Sequence, residues 1–317
     1  MNGPAAEGVR VAWESVPAAV RAAIEEVCGA PVAEARTQPG GFSPGVAARL
    51  RCADGTRSFV KAVSAEANPQ SPRLHRREGQ NLAALDPVIV ARQLPVPRLR
   101  GMVDLDPWVA LVLDDVDGRP PGLPWRAGDL QQVLAALDRL AGALTPAPIT
   151  VRSIAEMYAR AFTGWRALAG SAGKDRLDPW SRAHLDELAA LEPAWAVHSA
   201  GDTLLHTDVR ADNLLLTADG EVVVVDWPHA CRGSAFVELV LFAPSVAMQG
   251  GPQLADLLAM SPAGRRAPRQ DVAAVLCALA GYFTHQALQP PPPGLPTVRA
   301  FQAAQGEVAR RWLAGFL

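Results

Sequence analysis

The sequence predicts an α+β chain of two lobes, on three observations. Strand patterns joined by glycine-containing turns gather in the first 113 residues. Helical spacing of apolar residues fills most of the remaining chain, and an acidic, proline-rich segment separates the two regions. The 317 residues, 49% hydrophobic and 20% charged, suit one large or two ordinary globular units. The expected division is an N-terminal lobe over 1–113, a hinge over 114–120 and a C-terminal lobe over 121–317. A formal net charge of −2 gives no general attraction to nucleic acid. No apolar run reaches the roughly 18 residues of a membrane helix, and Met1–Glu7 lacks the basic start and apolar centre of a signal peptide. Cys28, Cys52, Cys231 and Cys277 are scattered without a Cys-x-x-Cys pair, so neither a disulfide framework nor a zinc site is expected. A cytoplasmic protein with no nucleic-acid or membrane partner is the expectation.

Taken in order, the apolar spacing of Val11–Val27 predicts an N-terminal helix with Ser15 as its cap. Gly40-Gly41-Phe42-Ser43-Pro44-Gly45 is a turn between the first two strands. The second strand, Val46–Cys52, turns at Asp54-Gly55 into the alternating segment Ser58–Val63, an antiparallel hairpin. Arg73–Leu85 reads as a helix in which Leu74, Leu82 and Leu85 share a buried stripe with Glu78 close to it, although Gly79 weakens the helix. Trp108–Leu113 is a fully apolar strand, and the acidic turn from Asp114 to Pro121 after it is a hinge signal. Helices are then expected over Asp129–Leu144, Val151–Leu168, Ser181–Leu191, Phe236–Met248, Asp271–Gln289 and Thr297–Phe316. Pro290–Pro293 would serve as a rigid connector between the last two.

The segment richest in chemistry is His206-Thr207-Asp208-Val209-Arg210-Ala211-Asp212-Asn213, followed thirteen residues after Asn213 by Asp226. Moving a γ-phosphoryl group needs a carboxylate to orient and deprotonate the attacking hydroxyl, and oxygen ligands for the metal that bridges the phosphates. Asp208, Asn213 and Asp226 supply that set. The intervening residues read as two short strands around Asp219-Gly220, and a hairpin there folds Asp226 back beside Asn213. Lysine usage adds a second signal. Of 30 basic residues only Lys61 and Lys174 are lysines. Lys174 lies in a polar loop, whereas Lys61 sits inside a strand.

His-x-Asp with Asn five residues after the Asp resembles the catalytic loop of the aminoglycoside phosphotransferase family, which is related to protein kinases. The resemblance implies a protein-kinase-like fold with ATP or GTP as donor and Mg2+ as the bridging ion. It implies Asp208 as the catalytic residue and Asn213 and Asp226 as metal ligands. Lys61 would reach the phosphates and pair with Glu78 on the following helix. Gly41 and Ser43, in a loop similar to the Gly-Gly-x-Ser-x-Gly loops of this family, would touch the β-phosphate. Main-chain groups from Leu113 to Val116, Asp114 and Val116 included, would meet the adenine edge. His206 is expected to hold the loop by hydrogen bonds, Arg210 and Asp212 to contact phosphate or substrate, and Glu238 to brace the loop where the family usually has an aspartate.

The acceptor is read from charge. From Ser245 to Leu317 there are three acidic side chains, Asp256, Asp271 and Glu307, against six arginines. Polycationic aminoglycosides need matching carboxylates, so a hydroxyl on a neutral or anionic small molecule is expected, for example a nucleoside or other sugar-containing antibiotic, with phosphorylation serving resistance or self-resistance. Two alternatives use the same residues: a metabolic kinase of choline, a sugar or an amino alcohol, and a non-catalytic nucleotide-binding scaffold. A protein kinase is disfavoured because Trp227–Glu238 leaves little room for an activation segment.

Overall fold

The computed structural model describes residue 4 and residues 6–316, so most of the Met1–Glu7 stretch lies outside the described residues. The small lobe begins with helix α1 (Ala18–Cys28) and the strands β1 (Val32–Thr37), β2 (Val46–Cys52) and β3 (Arg57–Ser64). Helix α2 (Ser71–Arg92) crosses to the hairpin β4 (Leu99–Leu105) and β5 (Trp108–Leu113). The five strands form one sheet in the order β1-β2-β3-β5-β4, antiparallel at every pairing.

The two faces of this sheet bury different partners. Val46, Ala48, Leu50, Val60, Ala62, Ala110 and Val112 pack beneath Val20 and Ile24 of α1, forming the core of the small lobe. Leu111 and Leu113 join Leu82 and Leu85 of α2 in a second core that continues through the large lobe. Strand alternation thus turns Lys61, between Val60 and Ala62, toward α2.

One expectation is corrected here. The N-terminal helix does not run from Val11; a single 3-10 turn at Trp13–Ser15 is followed by Pro17 as the N-cap of α1, and Ser15 caps nothing. Proline holds the preceding Val16 in an extended conformation (ψ 136°), so no helix can pass through it. Gly79, which weakened the expectation of a helix, lies well inside α2. A Cβ there would sit 3.0 Å from both Leu111 Cδ2 and Met102 Sδ, so the missing side chain lets the helix press onto β4 and β5.

The large lobe continues with β6 (Gly118–Arg119), α3 (Ala127–Ala143), the short helices α4 (Ile154–Tyr158), α5 (Gly164–Ala169), α6 (Pro179–Ala183), α7 (Leu185–Leu191) and α8 (Trp195–His198), and strands β7 (Thr203–Leu205), β8 (Leu214–Thr217), β9 (Val222–Val224) and β10 (Cys231–Gly233). It ends with α9 (Ala235–Met248), α10 (Leu254–Met260), α11 (Pro262–Arg266), α12 (Arg269–Ala287) and α13 (Val298–Leu313). The helix expected over Val151–Leu168 is broken into α4 and α5. Glu192, fully buried, accepts the N–H groups of Trp165 (2.9 Å) and Arg166 (3.2 Å) and so caps a new helix start. Gly164 permits it, since a Cβ there would stand 2.0 Å from the Gly281 carbonyl oxygen of α12. No helix among the described residues is long and apolar enough to cross a membrane.

Candidate active site

The candidate catalytic strip is built by two short pairings. β7 pairs with β10 and delivers His206 at its end. β8 pairs with β9 in register Leu214↔Val224, and the Val225 N–H donates to the Asn213 carbonyl at 3.0 Å. The thirteen residues between Asn213 and Asp226 therefore close into one hairpin, with Asp226 next to its open end.

Two residues of the strip adopt left-handed backbone, Thr207 at φ 64° and Asp226 at φ 72°. Such conformations cost on the order of 1–3 kcal/mol for residues other than glycine and persist where the surroundings over-determine them. The surroundings here are dense. Buried Glu238 accepts the N–H of His206 (2.6 Å) and of Thr207 (2.8 Å), so its longer side chain spans the distance to the loop. Thr207 Oγ1 donates to the His229 carbonyl (3.1 Å) and accepts from the Tyr158 hydroxyl (2.8 Å). His206 Nδ1 accepts the Asp208 N–H (3.1 Å), which leaves Nε2 as the protonated nitrogen facing the Val225 carbonyl at 2.9 Å. Burial lowers the pKa of His206, so it serves as a neutral brace.

Lys61 joins the lobes at this point. Its ammonium lies 2.8 and 3.0 Å from the two carboxylate oxygens of Glu78 and 3.0 Å from Asp226 Oδ1. Burial pulls the lysine toward neutrality, but Asp226 and Glu78 outweigh it and hold the ammonium above its usual range. Two carboxylates share that one cation, and they divide. Burial pushes Glu78 up to about 7. Burial acts on Asp226 in the same direction, yet Lys61 and Arg210 hold its carboxyl well below the ordinary range. Asn81 Nδ2 of α2 also donates to the Trp227 carbonyl at 2.7 Å, fixing the residue after Asp226.

Asp208 faces Arg210 and Asn213. Arg210 pairs with Asp208 Oδ1 and forks onto Asp212 at 3.0 and 2.9 Å. Asn213 Nδ2 donates to the Asp208 carbonyl (2.8 Å) and lies 3.3 Å from Asp208 Oδ2. The amide nitrogen of Asn213 is thus committed, and Oδ1 is left as the end free to ligate. Among the described residues no group of three or more His, Cys, Asp or Glu is placed to hold a metal ion. The Asp226 carboxylate and the Asn213 amide oxygen would suit a magnesium ion that arrives with a nucleotide and takes its remaining ligands from phosphate oxygens and water.

At the hinge, the Asp114 N–H donates to the Arg98 carbonyl (3.0 Å), and the Val116 carbonyl accepts from Arg49 Nη2 (2.9 Å) and from Gly118 N (3.1 Å). Among the described residues the Asp114 carbonyl and the Val116 N–H make no hydrogen bond. They form an acceptor and a donor two residues apart, the complement of an adenine edge. In the glycine-rich loop, Gly40 and Gly41 take φ 83° and 78°, and Arg10 donates to the carbonyls of Gly40 and Ser43.

A cavity of about 250 Å³ opens against Asp208 and Arg210. Its wall mixes aromatic and aliphatic side chains, and Asp208 is the one carboxylate in it among the described residues. The sequence reading missed this cavity, as it missed Asn81, Arg10 and Arg49. Each of them acts on a partner tens of residues away, and no local spacing marks them.

The sequence profile of the phosphotransferase enzyme family matches residues 36–276. A chain with this fold, this strip and that match belongs to the family and is a kinase-like phosphotransferase. Solved structures agree on the fold. An aminoglycoside-3'-phosphotransferase of type VIII is 22% identical at a TM-score of 0.54, over 84% of this chain and 100% of that one. A thermostable mutant of the aminoglycoside phosphotransferase APH(4)-Ia, complexed with AMP-PNP and hygromycin B, is 16% identical at 0.61, over 93% and 98%. A choline kinase from Streptococcus pneumoniae is 13% identical at 0.59, over 92% and 98%. No curated protein matches the chain.

Proposed function

We propose that this enzyme transfers the γ-phosphoryl group of ATP or GTP to a hydroxyl of a neutral or anionic small molecule, in the manner of an antibiotic-modifying kinase. The observation that carries the reading is the convergence of Lys61, Glu78 and Asp226 on one ion-pair cluster beside Asn213 and Asp208. Asp208 orients the acceptor hydroxyl and takes its proton as the oxygen attacks the γ-phosphorus and the bond to the β-phosphate oxygen breaks. Lys61, held by Glu78, balances charge on the phosphates. Magnesium, held by Asn213 and Asp226, would supply further neutralisation of the phosphate oxygens. Ser43 and Gly41 lie in the loop suited to cover the phosphates, and the hinge groups of Asp114 and Val116 suit the adenine. The 114–120 segment then serves as the boundary between the nucleotide-binding and acceptor-binding lobes.

The single carboxylate in the acceptor cavity supports an acceptor without multiple ammonium groups. The free state of all four cysteines suits a cytoplasmic enzyme, and a resistance or self-resistance role suits an antibiotic-like acceptor. The test is phosphate transfer from ATP and from GTP to a panel of kanamycin-like aminoglycosides, nucleoside antibiotics and amino alcohols, read as the mass of one added phosphoryl group, with Asp208→Ala as control. Transfer to an uncharged acceptor, lost in the variant, is expected. Productive turnover of aminoglycosides with none of neutral compounds would overturn the acceptor assignment, and turnover undiminished in the variant would overturn the role of Asp208.

A further inference from the structure

The wall of the acceptor cavity is contributed by two parts of the chain that do different work. Tyr158, Phe162, Tyr282 and Phe301 come from the large lobe, with the amides of Gln302 and Gln305 on α13. Phe42 comes from the glycine-rich loop, one residue before Ser43. Its ring stands edge-on to Phe301, centroids 5.1 Å apart at 77°, and the Arg210 guanidinium lies 5.4 Å from its centroid. The loop that is suited to a nucleotide phosphate therefore also closes the acceptor cavity.

The loop's backbone makes this placement specific. Gly45 takes φ 109°, and a Cβ there would stand 2.4 Å from the Ala62 carbonyl oxygen. Arg10 ties the carbonyls on either side of Phe42, those of Gly40 and Ser43, to one guanidinium. Phe42 and Ser43 are adjacent residues in this restrained loop, so a shift that brings Ser43 onto a phosphate carries Phe42 with it.

The lining also states what the cavity prefers. The one carboxylate in the wall, Asp208, is already paired with Arg210, and the remaining lining is aromatic and aliphatic side chains, the Thr207 hydroxyl, His229 and the amides of Gln302 and Gln305. A polyammonium compound finds no matching carboxylate. Aromatic faces attract a quaternary ammonium group, but the Phe42 face is already occupied by the Arg210 guanidinium. The volume of about 250 Å³ lies below the roughly 300–1,000 Å³ typical of drug-sized ligand sites, which suits one compact ring system or the hydroxyl-bearing end of a larger molecule.

We propose that this cavity binds an uncharged hydroxyl compound carrying an aromatic or alicyclic ring, and that Phe42 is the specificity-determining residue that closes over it when the phosphate loop engages nucleotide. The inference rests on the kinase reading above and adds the acceptor class and its coupling to the donor. Because one residue serves both sites, binding of either ligand strengthens binding of the other by the same factor, within the usual range of about 5–150-fold.

The test uses the full chain and 2-naphthol, an uncharged fluorescent aromatic alcohol, titrated with and without AMP-PNP and magnesium, with choline and kanamycin as competitors. Wild-type protein is expected to bind 2-naphthol at least about fivefold more tightly when AMP-PNP is present, with neither competitor displacing it. Phe42→Ala should weaken 2-naphthol about tenfold, the worth of one aromatic wall, and abolish the enhancement while AMP-PNP still binds. Phe42→Leu should recover part of the affinity by restoring an apolar wall. Equal 2-naphthol binding and unchanged enhancement in Phe42→Ala would overturn the role of Phe42, and displacement by choline or kanamycin would overturn the acceptor class. Failure of 2-naphthol to bind the AMP-PNP complex overturns the cavity assignment alone, whereas failure of AMP-PNP to bind wild type overturns the kinase reading beneath it.

Discussion

The candidate catalytic strip and the proposed acceptor cavity lie side by side and are constructed in opposite ways. The strip from His206 to Asp226 is contiguous in sequence and made of polar groups each tied to a named partner, down to the two N–H groups that Glu238 accepts. The cavity gathers side chains from the glycine-rich loop, α4, α9, α12 and α13 around Thr207–Arg210 of the strip, and its wall is mostly aromatic and aliphatic. Chemistry that must be the same for every acceptor is held rigidly by local hydrogen bonds. On the proposed reading, acceptor choice is spread over distant elements, where a single substitution changes shape without touching the reacting groups.

The sharpest way to break this contrast is Asp208→Ala. Loss of a positioned base should lower kcat by about 10² to 10⁴ for every acceptor alike, with nucleotide affinity nearly unchanged, as measured by steady-state kinetics and by titration with AMP-PNP. A loss confined to one acceptor would place Asp208 among the specificity residues and erase the division.

Lys61→Met comes next. It leaves buried Glu78 and partly exposed Asp226 without their shared cation, and should destabilise the protein by about 3 kcal/mol. That is the lower end of the range for breaking a buried pair, because the Asp226 side chain is 32% exposed. Urea unfolding measures it. The deficit should shrink below about pH 7, where Glu78 accepts a proton, so a deficit independent of pH would mean that Glu78 does not carry the strain.

Much of the strip was legible because its spacing is set by chain geometry: five residues from Asp208 to Asn213, then one tight hairpin. The ranges of β2 and β5 were legible for a related reason, since a strand buried on both faces, or alternating beside a glycine turn, leaves a continuous signature. Strand β4 escaped, because it is the edge of the sheet and its alternation is broken by Arg100, Gly101 and Asp104. The break between α4 and α5 was hidden for a different reason. Its cap is Glu192, some 27 residues away, and its glycine answers to Gly281 across the lobe. The cavity was invisible on both counts, since an aromatic at helical spacing reads as ordinary core until the fold shows which rings face an opening.

The brace beneath the strip gives a pH prediction. Burial pushes both Glu238 and Glu78 up to about 7 from an ordinary 4.5. A carboxyl raised in the folded state binds more protons there than in the unfolded chain. Its stabilising contribution is therefore complete below about pH 4.5 and lost as pH rises through about 7. Each group can account for at most about 3 kcal/mol, so unfolding free energy should fall from about pH 5 to about pH 8. Glu238→Gln should remove about half of that slope. It should also impose a pH-independent loss of about 1–3 kcal/mol, since one of the two loop N–H groups would then face an amide donor. A slope unchanged by the substitution would remove Glu238 from the titration.

The smallest effect tests the other side of the comparison. Phe301→Leu keeps the buried position on α13 filled but removes the edge contact with Phe42, which is worth about 0.5–1.5 kcal/mol beyond its area. The acceptor KM should rise by a factor between about 2 and 10 for ring-bearing acceptors. It should rise less for small aliphatic alcohols that never reach that wall, with kcat at saturation and the nucleotide KM unchanged. A rise in KM with unchanged kcat marks binding shared by ground state and transition state, as expected of a cavity that selects the acceptor and leaves the chemistry to the strip. A fall in kcat common to all acceptors would instead show that α13 supports the catalytic loop itself.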